Sequence, residues 1–336
     1  MRAEVWKYGR EERRSKHVKE NSREVESKSV LACHCSPYVS SIQPQMVIEG
    51  CKSGVIGSFP LLNARTVETL REWMETITTE LSTAKQQKTD QAIAPWAVNF
   101  IAHRSNKRYN EDLALIGEYQ PPIVITSLGD PSPVVEVVHQ YGGLVFADVI
   151  TVSHAQKAAG KGVDGLILVC TGAGGHAGTI HPFAFMGAVK EFWEGLTILS
   201  GAISNGGDIL AAQALGADLA YMGTRFITAE ESFAQKEYRD MVIDSTLDDL
   251  IYTNAFSGVN ANYLKPSIRQ AGLDPDQLES KNKADFSKMN GEAPKAWKNI
   301  WSAGQGVSTI NKVQTMQQIV EELKASYKAA RKNLME

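Results

Sequence analysis

Short apolar runs alternate with amphipathic stretches along most of this chain. From about Val30 onward, the runs at 31–35, 54–58, 96–101, 122–127, 143–149, 163–169, 196–201 and 219–223 read as strands. Between them, the segments 66–83, 110–118, 133–141, 153–161, 183–194 and 207–215 have helical patterns, several opened by a Thr, Asn or Ser suited to capping. This alternation predicts a parallel sheet with crossover helices. Eight such strands predict a (β/α)8 TIM barrel, since no GxGxxG turn marks an open dinucleotide-binding sheet.

The pattern changes at both ends. Residues 1–28 are rich in charge and nearly free of periodic apolar positions, which predicts a loosely attached arm. The barrel is assigned to 29–228, with its first strand the weakest of the eight. Residues 229–336 have helical composition and predict a C-terminal helical extension over the barrel mouth. Its segments SGVNANYLKPSI and WKNIWSAGQG bring Trp297, Trp301 and Gln305 forward as a lid, although aromatic residues four apart on a helix also suit a core.

Composition narrows the partners. Hydrophobic residues at 43% and charged residues at 22% are ordinary for a chain that buries a large core. A formal charge of −3 gives no electrostatic reason to expect nucleic acid or an anionic membrane. No apolar run approaches the ~20 residues of a membrane span, and the first residues lack the apolar centre of a signal peptide. The expectation is a cytoplasmic protein with a small-molecule ligand. The cysteines Cys33, Cys35, Cys51 and Cys170 are too scattered for a disulfide framework, and Cys33-His34-Cys35 has no second pair to complete a metal site.

In such a barrel the chemistry sits at the carboxyl ends of the strands. The residues there are Ser58, Asn99, Ser127, Asp148 with Thr151, the segment 171–178, Ser200-Gly201-Ala202 and Gly223-Thr224. The last two groups follow the seventh and eighth strands, where barrels commonly bind phosphate with backbone amides. Gly201, Gly206 and Gly207 would let a phosphate approach closely, or would simply make tight turns. His176 titrates near neutrality and could move a proton from a barrel mouth, or could be an incidental loop histidine. Its neighbours Gly174, Gly175 and Gly178 would let the backbone press against a planar ligand. His181, before Pro182, suits a capping role.

Three motifs carry a family resemblance. AGGHAG at 173–178, LSGAISNGGDILAAQALGAD at 199–218 and YMGTRFITAEES at 221–232 resemble the nitronate monooxygenases, with similarity from about residue 44 onward. The resemblance implies bound FMN, with His176 as catalytic base and the phosphate held by Ser200, Gly201, Ala202, Met222, Gly223 and Thr224. Asn99 in WAVNF matches the family's strand-three asparagine, and its donor and acceptor suit a flavin ring edge. The chain departs from the family at Gly172, Val169 and Tyr221, where Glu, Gln and Gln are usual, and at Tyr38 after Pro37, where Met is usual. It resembles a divergent branch.

Three functions follow. The first is an FMN-dependent monooxygenase that oxidises a nitronate or similar small carbon acid with dioxygen, His176 serving as base. The second is an NAD(P)H-dependent flavin reductase of the enoyl-acyl carrier protein or quinone reductase type. The third is a non-catalytic flavin-binding protein. A homodimer stays open as the assembly.

Overall fold

The structure is a computed structural model and describes residues 30–33, 42–87, 93–256, 258–280 and 300–336. The expected arm at 1–28, His34, Cys35, the Pro37–Tyr38 pair and Trp297 lie outside these residues. Strands β1 (Val30–Cys33), β2 (Ile56–Pro60), β3 (Trp96–Ile101), β4 (Ile123–Ser127), β5 (Leu144–Val149) and β6 (Gly165–Val169) pair in sequence. After a two-residue strand β7 (Gly175–His176), β8 (Leu196–Ser200) pairs with β6, β9 (Leu219–Met222) follows, and β9 pairs with β1 to close an eight-stranded parallel barrel. Each expected strand is present. The second starts two residues late because Gly54, at φ 91°, and the bond from Val55 N–H to the Gly50 carbonyl still belong to a turn.

Alternation along the strands sorts the side chains. Ile125, Phe146, Ile167 and Ile198 fill the barrel interior, while Val98, Val124, Val145 and Leu166 face the helices. Gly165 makes room for the Phe146 ring, since a Cβ there would sit 2.6 Å from its Cδ1. At the amino ends of the strands the Asp164 carboxylate accepts from Val145 N–H and pairs with His139 Nε2, each at 2.8 Å. Asp218 accepts from Thr197 N–H at 2.7 Å. The floor of the barrel is thereby tied by carboxylates, and the opposite face is left for the ligand.

The helices obey local signals. Thr66 caps Val67–Gln86, Thr151 caps Val152–Ala159 and Asn205 forms a capping box on Gly206–Ala214. Helix Pro44–Lys52 adds to the expected set. The expected helix at 183–194 ends at Lys190, because Trp193 turns its indole N–H onto the Leu196 carbonyl at 3.0 Å.

Beyond the barrel the chain carries helices, as expected, together with two strands. β10 (Leu250–Thr253) and β11 (Ala261–Leu264) join β7 in a separate antiparallel sheet. The last helix, Met316–Met335, lies on the barrel wall against Gly206–Ala214 and Pro44–Lys52. Arg225 anchors its approach, with Nη2 donating to Gln314 Oε1 at 2.6 Å. Gly206 is the contact point. Its N–H donates to Ser326 Oγ at 3.0 Å, and a Cβ would lie 2.0 Å from Tyr327 N. Packing against this helix, and not approach to a phosphate, therefore accounts for Gly206.

Two alanine substitutions test this contrast. Gly206→Ala drives a methyl into backbone and is expected to cost ~1–3 kcal/mol. Gly187→Ala meets nothing within 4 Å on an exposed helix face and is expected to stabilise by ~0.5–1 kcal/mol. Thermal unfolding of the two variants should move in opposite directions from the parent.

Candidate active site

The carboxyl ends of the strands open into a cavity of about 610 Å³, within the range that takes small-molecule ligands. Its floor is the last inward-facing layer of the barrel, including Asn99, Ser127, Asp148, Val169, Ser200 and Tyr221. Gly172–Gly174, His176 and Ala177 make one wall, the turns after β8 and β9 another, and Val259, Gly304 and Gly306 approach from the C-terminal region.

On the β8–β9 side the backbone itself is the lining. Gly201 has φ 124°, and a Cβ there would meet the Thr171 carbonyl at 2.9 Å. Ala202 follows at φ 57°, a left-handed conformation that costs a non-glycine residue ~1–2 kcal/mol. Strain retained in a cavity wall is a mark of function. Farther along, Ser204 N–H and Asn205 N–H donate to Asp208, and Asp208 N–H donates to Asn205. The part of this turn facing the cavity is therefore Ser200–Ile203, joined by Gly223 and Thr224.

His176 reaches the cavity from β7. Antiparallel pairing sets it opposite Ala261, and Asn262 Nδ2 donates to the Ala173 carbonyl at 2.7 Å. Tyr252 Oη donates to the Ala177 carbonyl at 2.8 Å. Burial pushes the imidazole down to about 4, so at neutral pH it is uncharged and able to accept a proton.

The structure separates the expected site residues into two groups. Asn99, Gly174, His176, Ser200, Gly201, Ala202, Gly223 and Thr224 line the cavity. Gly175, Gly178 and Met222 do not. Gly175 holds φ 71° in the loop, and a Cβ on Gly178 would lie 2.6 Å from the Val169 carbonyl. Met222 points outward into the strand–helix core. Gly174, although on the wall, also admits the C-terminal segment, its missing Cβ lying 2.8 Å from Gly304 N. Thr224 Oγ1 accepts from that same Gly304 N–H at 2.8 Å.

Trp301 is core: it stacks on Tyr238 with centroids 5.0 Å apart. Gln305 donates its backbone N–H to the Gly172 carbonyl at 2.8 Å, which seats the segment beside the mouth. His181 caps helix Pro182–Lys190, as expected.

A polar trio on the opposite side carries more than the sequence showed. Asn99 Nδ2 donates to Ser127 Oγ at 2.6 Å and to Asp148 Oδ2 at 3.4 Å, and Ser127 Oγ donates to the same carboxylate oxygen. The other oxygen, Asp148 Oδ1, is buried without a hydrogen-bond partner. Burial pushes this acid up to about 6, against the lowering effect of the Ser127 and Asn99 bonds. Position at a strand end was the signal available in sequence, but it could not show that the three side chains meet.

Fold and site together define a (β/α)8 barrel with a deep ligand cavity at the carboxyl ends of its strands. A nitronate monooxygenase family model matches residues 61–326, and the chain belongs to that family, whose enzymes are flavoproteins, generally FMN-dependent. A nitronate monooxygenase of Paraburkholderia phytofirmans is 31% identical over 179 residues, 50% of this chain and 48% of that protein. A Staphylococcus haemolyticus protein named "Probable nitronate monooxygenase" is 26% identical over 242 residues, 65% of this chain and 67% of that one.

The chain thus spans about half the length of the first of these relatives. Among solved structures, nitroalkane oxidase from Streptomyces ansochromogenes superposes with TM-score 0.75 at 21% identity, covering 91% of this chain and 97% of that one. FabK from Thermotoga maritima gives 0.72 at 21%, covering 92% and 96%. At these identities the structural likeness speaks for the fold.

The raised acid predicts a pH signature in protein stripped of ligand. Asp148 is protonated below about 6 when folded and below the ordinary value of 3.8 when unfolded. The unfolded chain thus loses its proton first, and stability falls as pH rises from 3.8 through 6. Asp148→Asn removes this loss. Its melting temperature should match the parent near pH 4 and exceed it at pH 8, as read by thermal unfolding across that range.

Proposed function

We propose that the protein is an FMN-dependent oxidoreductase that oxidises a nitronate or similar small carbon acid with dioxygen, His176 acting as base. The observation that carries this reading is a neutral imidazole on the wall of a cavity whose adjoining turn is bare backbone at Gly201 and Ala202, left-handed at Ala202. Amides in such a turn form an anion-binding concavity, which suits the terminal phosphate of FMN. Gly201–Ala202 and Gly223–Thr224 would hold that phosphate, and Asn99 would meet the polar edge of the ring. When bound, FMN supplies the electron acceptor and its reoxidation by dioxygen.

The chain's own residues do the rest. Uncharged His176 accepts the α-proton of a neutral carbon acid at a ring nitrogen, on a wall that is otherwise apolar. Ile101, Val149 and Val169 supply such a wall. The C-terminal segment at Gly304–Gly306 narrows the mouth and limits water. No helix among the described residues is long and apolar enough to cross a membrane.

Purified protein is expected to carry non-covalent FMN, visible in its absorption spectrum. Gly201→Asp should release it more readily than Gly201→Ala, since both strain the backbone but only the first sets a carboxylate beside a phosphate. Equal retention would move the phosphate elsewhere.

His176→Asn should keep FMN yet slow oxidation of a neutral nitroalkane ~10²–10⁴-fold, the scale of general-base catalysis. The pre-formed nitronate should lose less, because it needs no deprotonation. Stopped-flow flavin bleaching without oxygen measures both. Bleaching by NADH alone, with none by nitronate, would replace this reading with a flavin reductase.

A further inference from the structure

The Asn99–Ser127–Asp148 trio has no part in the proton step above, yet it is the most polar feature of the cavity floor. It stands at β3, β4 and β5, across the barrel from the turns after β8 and β9 in the strand order β1-β2-β3-β4-β5-β6-β8-β9. A ligand with its phosphate at those turns and its body across the mouth ends at the trio. Within the trio one acceptor is buried without a partner. Asn99 and Ser127 both donate to Asp148 Oδ2, while Asp148 Oδ1 is buried and accepts nothing. A buried acceptor left unpaired is costly, and one beside a ligand cavity calls for a donor on the ligand.

Of the edges of an isoalloxazine ring, the dimethylbenzene edge is apolar and offers no donor. The pyrimidine edge presents carbonyl, imide N–H and carbonyl in a row, and its single donor is that N–H. Resting on the FMN reading, we propose that Asp148 Oδ1 accepts the flavin's imide N3–H, with Ser127 and Asn99 as positioning residues that hold the carboxylate in place. Two consequences follow. The site should recognise the N3–H itself, and a carboxylate at this edge should oppose the negative charge of reduced flavin, keeping the bound cofactor a weaker oxidant. The other titratable groups lining the cavity are His176, Tyr221, His154, Lys157, Lys161 and Asp130, and all are unchanged in the variants below.

The test uses the full chain at pH 8, where Asp148 is ionised, with FMN and 3-methyl-FMN as probes. The parent should bind FMN ~10–100-fold more tightly than the methylated flavin, the worth of one charge-assisted hydrogen bond. Asp148→Ala should bind the two within about threefold of each other, having lost the acceptor and made room for the methyl. Asp148→Asn, nearly isosteric and the check against a folding defect, should still bind FMN, and its midpoint potential should rise. Each tenfold gain in relative affinity for reduced over oxidised flavin is ~30 mV for the two-electron couple.

A parent that binds both flavins alike overturns the assignment. So does an Asp148→Ala protein that keeps the parent's discrimination, or an Asp148→Asn protein with the parent's potential. A parent that binds neither flavin overturns the FMN reading, and this assignment with it.

Discussion

Two residues of antiparallel pairing hold the candidate base in place. Gly175–His176 bonds to Ala261–Asn262, and without that contact the segment from Thr171 to Gly178 would be a glycine-rich loop with wide conformational freedom. Three further bonds complete the hold: Asn262 to the Ala173 carbonyl, Ala177 N–H to the Asn260 carbonyl, and Tyr252 to the Ala177 carbonyl. All come from the C-terminal region, so the barrel supplies the cavity and the sequence beyond it fixes the backbone that carries the imidazole. A histidine held this way keeps its geometry without a large ordering cost when substrate arrives.

Glycines close to one another in sequence do different physical work here. Gly201 is needed for its conformation and Gly206 for a helix contact. Gly174 lets the backbone of Gly304 approach, and Gly172, at φ 84°, would carry a Cβ 2.8 Å from Gln305 Oε1. The 304–306 segment can lie beside the histidine loop because these side chains are missing. A substitution at Gly172 or Gly174 would therefore disturb the cavity wall through packing, even though neither residue has a side chain to offer a ligand.

The cavity also divides its electrostatics between two sides. Burial disfavours the charged form of both groups, and so moves their pKa values in opposite directions: His176 down, which keeps it uncharged at neutral pH, and Asp148 up. The first needs no compensation. The second is only partly compensated by Ser127 and Asn99, and the remaining deficit lies at Oδ1, a buried oxygen of a cavity-lining residue. The strained, cavity-facing backbone of Ala202 stands on the other side of the barrel. Such unsatisfied or strained groups usually cost stability, and they are tolerated where binding offsets the cost.

Sequence alone determined the barrel and much of its mouth. Apolar runs bounded by turn residues and separated by capped amphipathic segments leave few alternatives to a parallel sheet, and the residue that ends a run is local information. Asn99, His176, Ser200, Gly201, Gly223 and Thr224 were reached in this way. Local information could not tell a glycine that faces a ligand from one that faces Tyr327 or the Val169 carbonyl, so Gly206 and Gly178 read like Gly201. Nor could it reveal β7, β10 and β11, which are too short to show a period. Only the tertiary structure decided how Asp148, Ser127 and Asn99 meet and what holds the histidine loop. Those contacts join residues far apart in the chain, as Asn262 and Ala173 are, and they form only once the sheet has closed and brought its strand ends together.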